Sequence, residues 1–155
     1  MKNKGFSLIE LIVVIAIMAV ALAVGGYALS AVSLANAKSC ANEINVGLEM
    51  TRTHACSSHL QSSITFYRES PAAPLMMKKS YEGEAKKIGN GAVKLEYSVD
   101  GGQSYKEVED MTGISFTFNR SSGAFTSAYD SLRISSGGKT YTITCYLLTG
   151  KTKME

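Results

Sequence analysis

Hydrophobic and polar positions divide the chain into three stretches of different period. From Leu11 to Ala37 there are 27 residues without a formal charge, and about 20 apolar residues suffice to cross a bilayer as a helix. Residues 7–29 therefore predict a transmembrane span. Beyond it, polar residues alternate with an apolar stripe at Ala37, Ala41, Ile44, Leu48 and Ala55. Spacings of three, four and seven place these side chains on one face of a helix. No proline precedes Pro71, so one helix over residues 6–60 is expected, apolar all round in its first half and amphipathic in its second. Lys38, Asn42, Glu43, Asn45, Glu49 and Arg52 fall on the solvated side. Gly25-Gly26 lies inside this helix, where each glycine costs about 1 kcal/mol relative to alanine. A bend or loose turn and close packing against neighbouring helices both fit.

The period changes to two around Ser70-Pro-Ala-Ala-Pro74, whose prolines admit neither helix nor central strand. Ile64–Arg68, just before it, reads as a first extended piece. Val93, Leu95, Tyr97 and Val99 alternate with Lys94, Glu96 and Ser98, and Asp100-Gly101-Gly102 supplies a turn into a second strand near Tyr105–Val108. Further alternating runs are Ile114, Phe116 and Phe118, then Leu132 and Ile134, then Tyr141, Ile143, Cys145 and Leu147. Ser121-Ser-Gly123 and Ser135-Ser-Gly-Gly138 separate them. These runs predict an antiparallel sheet of about five to seven strands, one face of it covered by the amphipathic half-helix. The fold class is α+β, with a β-rich head over residues 61–155 and no room for a second core, since a domain typically needs about 100–150 residues.

Charge adds a direction. Lys2 and Lys4 precede the apolar run, and after Glu10 the next charge is Lys38. The positive-inside tendency puts Met1–Gly5 in the cytoplasm and the head outside. The formal charge of +3, less the two leading lysines, is +1, which argues against a nucleic-acid partner. Three cysteines leave at least one unpaired, so the fold rests on hydrophobic burial and not on a disulfide framework. Glu10 is the anomaly of the apolar stretch, where a carboxylate costs several kcal/mol unless it is paired or protonated. It is the strongest functional candidate in the chain.

The opening Lys2-Asn-Lys-Gly5-Phe6-Ser-Leu-Ile-Glu10, with the apolar run behind it, resembles the class III signal of type IV pilins and type II secretion pseudopilins. The resemblance implies a leader over residues 1–5, cut by a prepilin peptidase between Gly5 and Phe6, with N-methylation of Phe6. Glu10 becomes the fifth residue of the mature chain. Cleavage sets a positive amine in hydrocarbon, methylation keeps its charge, and a carboxylate on a neighbouring helix is its natural counter-ion. Such a pair fixes register more than it adds stability.

The implied fold is the pilin-like lollipop, and the implied role is a filament subunit of a pilus-like or type II secretion system, held in the cytoplasmic membrane before joining a periplasmic or cell-surface filament. Membrane lipid, other pilin or pseudopilin subunits and an inner-membrane assembly platform are the implied partners. A looser likeness to H-type minor pseudopilins covers the Phe-Asn-Arg-Ser-Ser-Gly turn at 118–123, two strands and Thr149-Gly150-Lys151. Many major pilins carry a proline near the depth of Tyr27, which this chain lacks. The alternatives are a minor or tip pilin that binds DNA in competence, and a plain membrane-anchored β domain.

Catalytic constellations are lacking: no serine, histidine and acid set, no paired carboxylates and no phosphate-cradling loop, and no cofactor is expected. His54 and His59 point about 140° apart on a helix and cannot clamp one metal ion. Cys40 and Cys56 lie roughly 24 Å apart along a helix, too far to bond. Cys145 shares parity with Ile143 and reads as a buried thiol, with a bond to Cys40 or Cys56 as the alternative. Lys151 and Lys153, in a tail without an aromatic partner, are weak DNA-binding candidates.

Overall fold

The computed structural model describes the backbone of residues 8–155 and the side chains of residues 8–22 and 35–155. The chain divides into two units, Met1–Val32 and Ser33–Glu155. Helix α1 (Leu8–Ser58) passes through both, and its backbone stays helical across Gly25-Gly26. It ends at Ser58, two residues short of the expected residue 60. Ser58 Oγ donates to His54 O at 2.6 Å and accepts from Leu60 N at 3.3 Å. His59 takes a left-handed φ of 53°, a common way to end a helix.

In the second unit all five stripe residues of α1 are buried, and Cys40 and Thr51 join them. Thr51 can sit there because its hydroxyl donates to Gly47 O at 2.8 Å, leaving no polar group unsatisfied. Gly47 brings α1 close to the first sheet: a Cβ there would lie 2.7 Å from Met77 Sδ and 3.0 Å from Ile64 Cδ1, so those side-chain ends would have to shift.

The head is α+β as expected, but its strands form two antiparallel sheets and not one. Among the described residues there are nine strands. The first sheet has the order β3-β2-β1-β6, from β1 (Ser62–Tyr67), β2 (Met76–Lys79), β3 (Ala85–Lys87) and β6 (Ile114–Phe118). The second has the order β5-β4-β7-β8-β9, from β4 (Lys94–Ser98), β5 (Lys106–Glu107), β7 (Ser131–Ser136), β8 (Lys139–Tyr146) and β9 (Lys151–Met154). The division follows from pairing. β6 returns to β1, with Ile64 opposite Phe116, while β4 pairs with β7, Leu95 opposite Ile134. Residues 88–93, 108–113 and 119–130 carry the chain between the two sheets.

Both sheets and α1 feed one apolar core, in which Ile44, Leu48, Phe66, Phe116, Leu132 and Ile143 are representative. Phe116 is its aromatic centre, edge-on to Phe66 at 6.1 Å and to Phe125 at 5.5 Å. The alternation read for β4 fails at its end: Ser98 is buried and Val99 is 54% exposed. Ser98 Oγ turns inward because it accepts the N–H groups of Asp100 and Gly102 and donates to Asp100, so turn chemistry overrides hydrophobicity. Gly137 and Gly138, with φ of 59° and 78°, make the two-residue turn between β7 and β8, a conformation that favours glycine at both positions.

Candidate assembly surface

Gly5 and Phe6 lie outside the described residues. Glu10 stands in the first turn of α1, on a surface shared with Ile9, Val13 and Val14. The large apolar side chains from Leu8 to Leu22 are between 49% and 76% exposed, and they point to every side of the helix. A helix apolar all round is stable only where something else covers it. Among the described residues no helix is long and apolar enough to cross a membrane. The span expected over 7–29 includes residue 7 and the side chains of 23–29, which lie outside the described residues.

The exposed face of α1 in the head is a second surface. Ser39, Asn42, Val46, Met50, Thr53 and Ser57 are all exposed, at spacings of three and four, and none carries a charge. Val46 and Met50, 52% and 49% exposed, are the apolar centre of this seam. They overlook a groove toward the β2–β3 hairpin, lined also by Gly47, Met77, Lys79 and Lys86. Sequence reasoning assigned this face to charged and polar side chains and missed the two apolar ones. The available signal was their i, i+4 spacing on the side opposite Ile44 and Leu48.

The polar residues expected to be solvated are in part tied down. Glu43 meets Lys86 at 2.7 Å, Asn45 Oδ1 accepts from Thr152 Oγ1 at 2.5 Å, and Arg52 Nε donates to Thr149 O at 3.0 Å. The last two fasten α1 to the second sheet. Gly150 sits in the same contact, with φ 65° and no room for a Cβ, which would fall 1.7 Å from Gly123 O.

Lys151 and Lys153 are not in a tail. They occupy β9, the edge strand paired with β8, with Thr152 between them turned toward Asn45. Lys153 Nζ pairs with Glu155 at 2.5 Å, and that hydrogen bond raises the lysine pKa and lowers that of Glu155. Lys153 is thereby already engaged by a carboxylate, and lysine on an edge strand guards against stray pairing.

His54 and His59 do not converge. His54 stacks on Tyr81, centroids 3.9 Å apart, and its Nδ1 lies 2.9 Å from Ser62 Oγ, while His59 is exposed. Cys40 and Cys145 are buried free thiols and Cys56 is partly exposed and free, so no disulfide joins the three. Burial pushes the Cys40 and Cys145 thiols up to about 12, helped by Glu43 and Asp130 respectively. Such thiols stay protonated and unreactive.

The N-terminal residues 1–26 match the family described as the prokaryotic N-terminal methylation motif. The chain carries a prepilin-type signal. A signal of this kind is the mark of type IV pilin-like prepilins and implies processing by prepilin peptidase and assembly with other pilin subunits. No curated protein and no solved structure was found to match the chain.

Proposed function

We propose that this prepilin is a structural subunit of a type IV pilus-like or type II secretion filament. The observation that carries the reading is the match of residues 1–26 to the methylation motif. The peptidase cuts between Gly5 and Phe6 and Phe6 is N-methylated. The mature helix spans the cytoplasmic membrane through about residue 29 with the head outside, then leaves lipid for a bundle of like helices. Either environment covers the apolar surface of residues 8–22. Glu10 supplies the carboxylate that meets the Phe6 amine of a neighbour, and any other stagger leaves both charges in hydrocarbon without each other.

Mass spectrometry of the mature protein tests the processing: methylated Phe6 is the expected N-terminus, and any other would sink the reading. A small residue is needed at the cut, so Gly5→Ala is processed in part and bulkier replacements are not. Glu10→Ala should leave cleavage and insertion intact, because it makes the helix more apolar, yet reduce incorporation into filaments. Wild-type filament yield from that variant would refute the role given to Glu10.

A further inference from the structure

The two sheets treat charge on their outer faces differently. In the second sheet Lys94 pairs with Glu107 at 3.0 Å, Arg133 with Glu96 at 3.9 Å and Lys153 with Glu155 at 2.5 Å, so most of its cations are met by carboxylates nearby. The first sheet leaves its outer cations unmatched. Its inner face is marked by Ile64, Met77 and Phe116, all buried, and by Lys86, which reaches Glu43 on α1. Side chains alternate along a strand, so the residues between these face outward. Lys78, Thr65 and Ser115 lie side by side in one row, and Lys87, Met76 and Tyr67 in the next. Lys78 and Lys87 are exposed, and among the described residues neither pairs with a carboxylate. They are diagonal neighbours on β2 and β3, about 7–8 Å apart.

Beside the two lysines this face is built of hydroxyls. Ser63, opposite Thr117, adds a third row, and Thr65 Oγ1 donates to Ser115 Oγ at 3.1 Å, so the Ser115 hydroxyl still has its own hydrogen to donate outward. Side chains this short on a sheet give a protein partner no pocket for an aromatic or aliphatic anchor. Two cations meet few phosphates of a nucleic acid, whose duplex carries one charge about every 1.7 Å. A polysaccharide with carboxylates on its rings fits both parts of the chemistry. Its hydroxyls exchange hydrogen bonds with serine and threonine, its carboxylates meet ammonium groups, and the ring of Tyr67 offers an apolar body with a polar tip.

We propose that the outer face of the first sheet binds an acidic polysaccharide of the uronate type, with Lys78 and Lys87 on its carboxylates and Thr65 and Ser115 on its hydroxyls. The contact needs only the head, so it stands or falls separately from the filament reading. An exposed ion pair contributes little, and one head therefore binds weakly. A polymer that repeats its carboxylates engages several heads at once wherever copies are held close together, and its second and later contacts are then intramolecular.

The experiment passes the full chain, in neutral detergent at low salt, over immobilised alginate, with dextran and a DNA duplex as comparison surfaces. The expected result is retention on alginate above both others. Lys78→Ala with Lys87→Ala should lower that retention roughly fivefold or more, as the loss of two exposed ion pairs allows. Lys106→Ala with Lys139→Ala removes two exposed lysines of the second sheet and the same net charge, and should leave it unchanged. Lys78→Arg with Lys87→Arg keeps the charges and should keep most of the binding, which separates a lost contact from a damaged fold. Thr65→Val, of nearly the same shape, should lower retention roughly twofold, for one hydrogen bond. Failure of the wild-type chain to hold alginate would overturn the proposal. So would an equal loss in the two alanine pairs, since net charge and not this face would then be responsible. Retention on duplex DNA as strong as on alginate would mean attraction to any polyanion, and equal retention on dextran would remove the role of the lysines; either result rejects the uronate site.

Discussion

The two halves of α1 have the same backbone and opposite needs. Residues 8–22 expose large apolar side chains on all sides, whereas from Ala37 on the apolar residues Ala37, Cys40, Ala41, Ile44, Leu48 and Ala55 are buried within the unit they belong to. The second half makes its own solvent-excluding partner by folding the head against one stripe. Among the described residues, 8–22 have no such cover. The difference is one of pattern and not of propensity: both halves form helix, but only a stripe can be satisfied by a single chain's sheets.

The sharpest way to break the comparison is to place the same charge in each half. Ile44→Asp puts a carboxylate into the apolar core and should cost about 4 kcal/mol or more, most of the stability of a marginal domain. Ile15→Asp should leave the melting of the head unchanged and instead impair membrane insertion. Circular dichroism melts of the two detergent-solubilised variants check this. Equal loss of head stability would show that the halves are not independent. The segment from about Val32 onward, which keeps the amphipathic half-helix and all nine strands, should by the same reasoning fold alone.

A smaller effect comes from pH. Cys40 on α1 and Cys145 on β8 have folded pKa values raised to about 12 by burial, while an unfolded thiol titrates near 8.5. The unfolded chain therefore loses these protons first as pH rises. Stability is intact below about pH 8.5 and should decline between there and pH 12, by up to about 1.4 kcal/mol per pH unit for each thiol. Urea unfolding at pH 8 and pH 10 measures the decline, and Cys145→Ala should make it shallower. A decline of the same slope in Cys145→Ala would mean that this thiol is not its source.

Periodicity made much of this legible. The helix end, the buried stripe, β1, the hairpin of β4 and β5 and the hairpin of β7 and β8 follow from spacing and from glycine pairs. What escaped was set by pairing over distance. Met76-Met-Lys-Lys79 and Ala85-Lys-Lys87 lack the β-branched and aromatic residues that mark a strand, yet β2 pairs with β1 and β3 with β2. The partition into two sheets depends on β6 choosing β1, which no local pattern announces. Arg68 was also unreadable: it ended an expected strand, and the fold buries it, with its guanidinium donating to Ala73 O at 2.6 Å and to Val93 O. At the candidate site the sequence motif names Gly5, Phe6 and Glu10 as expectations, of which only Glu10 lies within the described residues, while the seam around Val46 and Met50 is visible only once the opposite face of the helix is seen to be covered.

The fastening of α1 to the second sheet offers a milder test. Arg52→Ala removes the bond to Thr149 O and should cost about 1 kcal/mol, since the carbonyl left behind remains near solvent. Thr53→Val, one residue away on the exposed seam, should cost less than half as much by urea titration. Equal costs would mean that the Arg52 bond contributes nothing that a solvated side chain would not.

The smallest expected effect concerns Lys151 and Lys153. If the head bound DNA through its last strand, both lysines would have to reach phosphates, yet Lys153 already holds Glu155 at 2.5 Å. No aromatic ring alternates with them on β9, so base stacking cannot supply affinity that the charges lack. Two phosphate contacts give a log–log salt slope of only about −2, and one gives about −1. Anisotropy titrations of the head with a labelled duplex should therefore show weak binding at low salt that vanishes near physiological ionic strength. Lys151→Ala with Lys153→Ala should change it little. Tight binding with a steep slope, abolished by that double variant, would favour a competence pilin over a filament subunit without a DNA ligand.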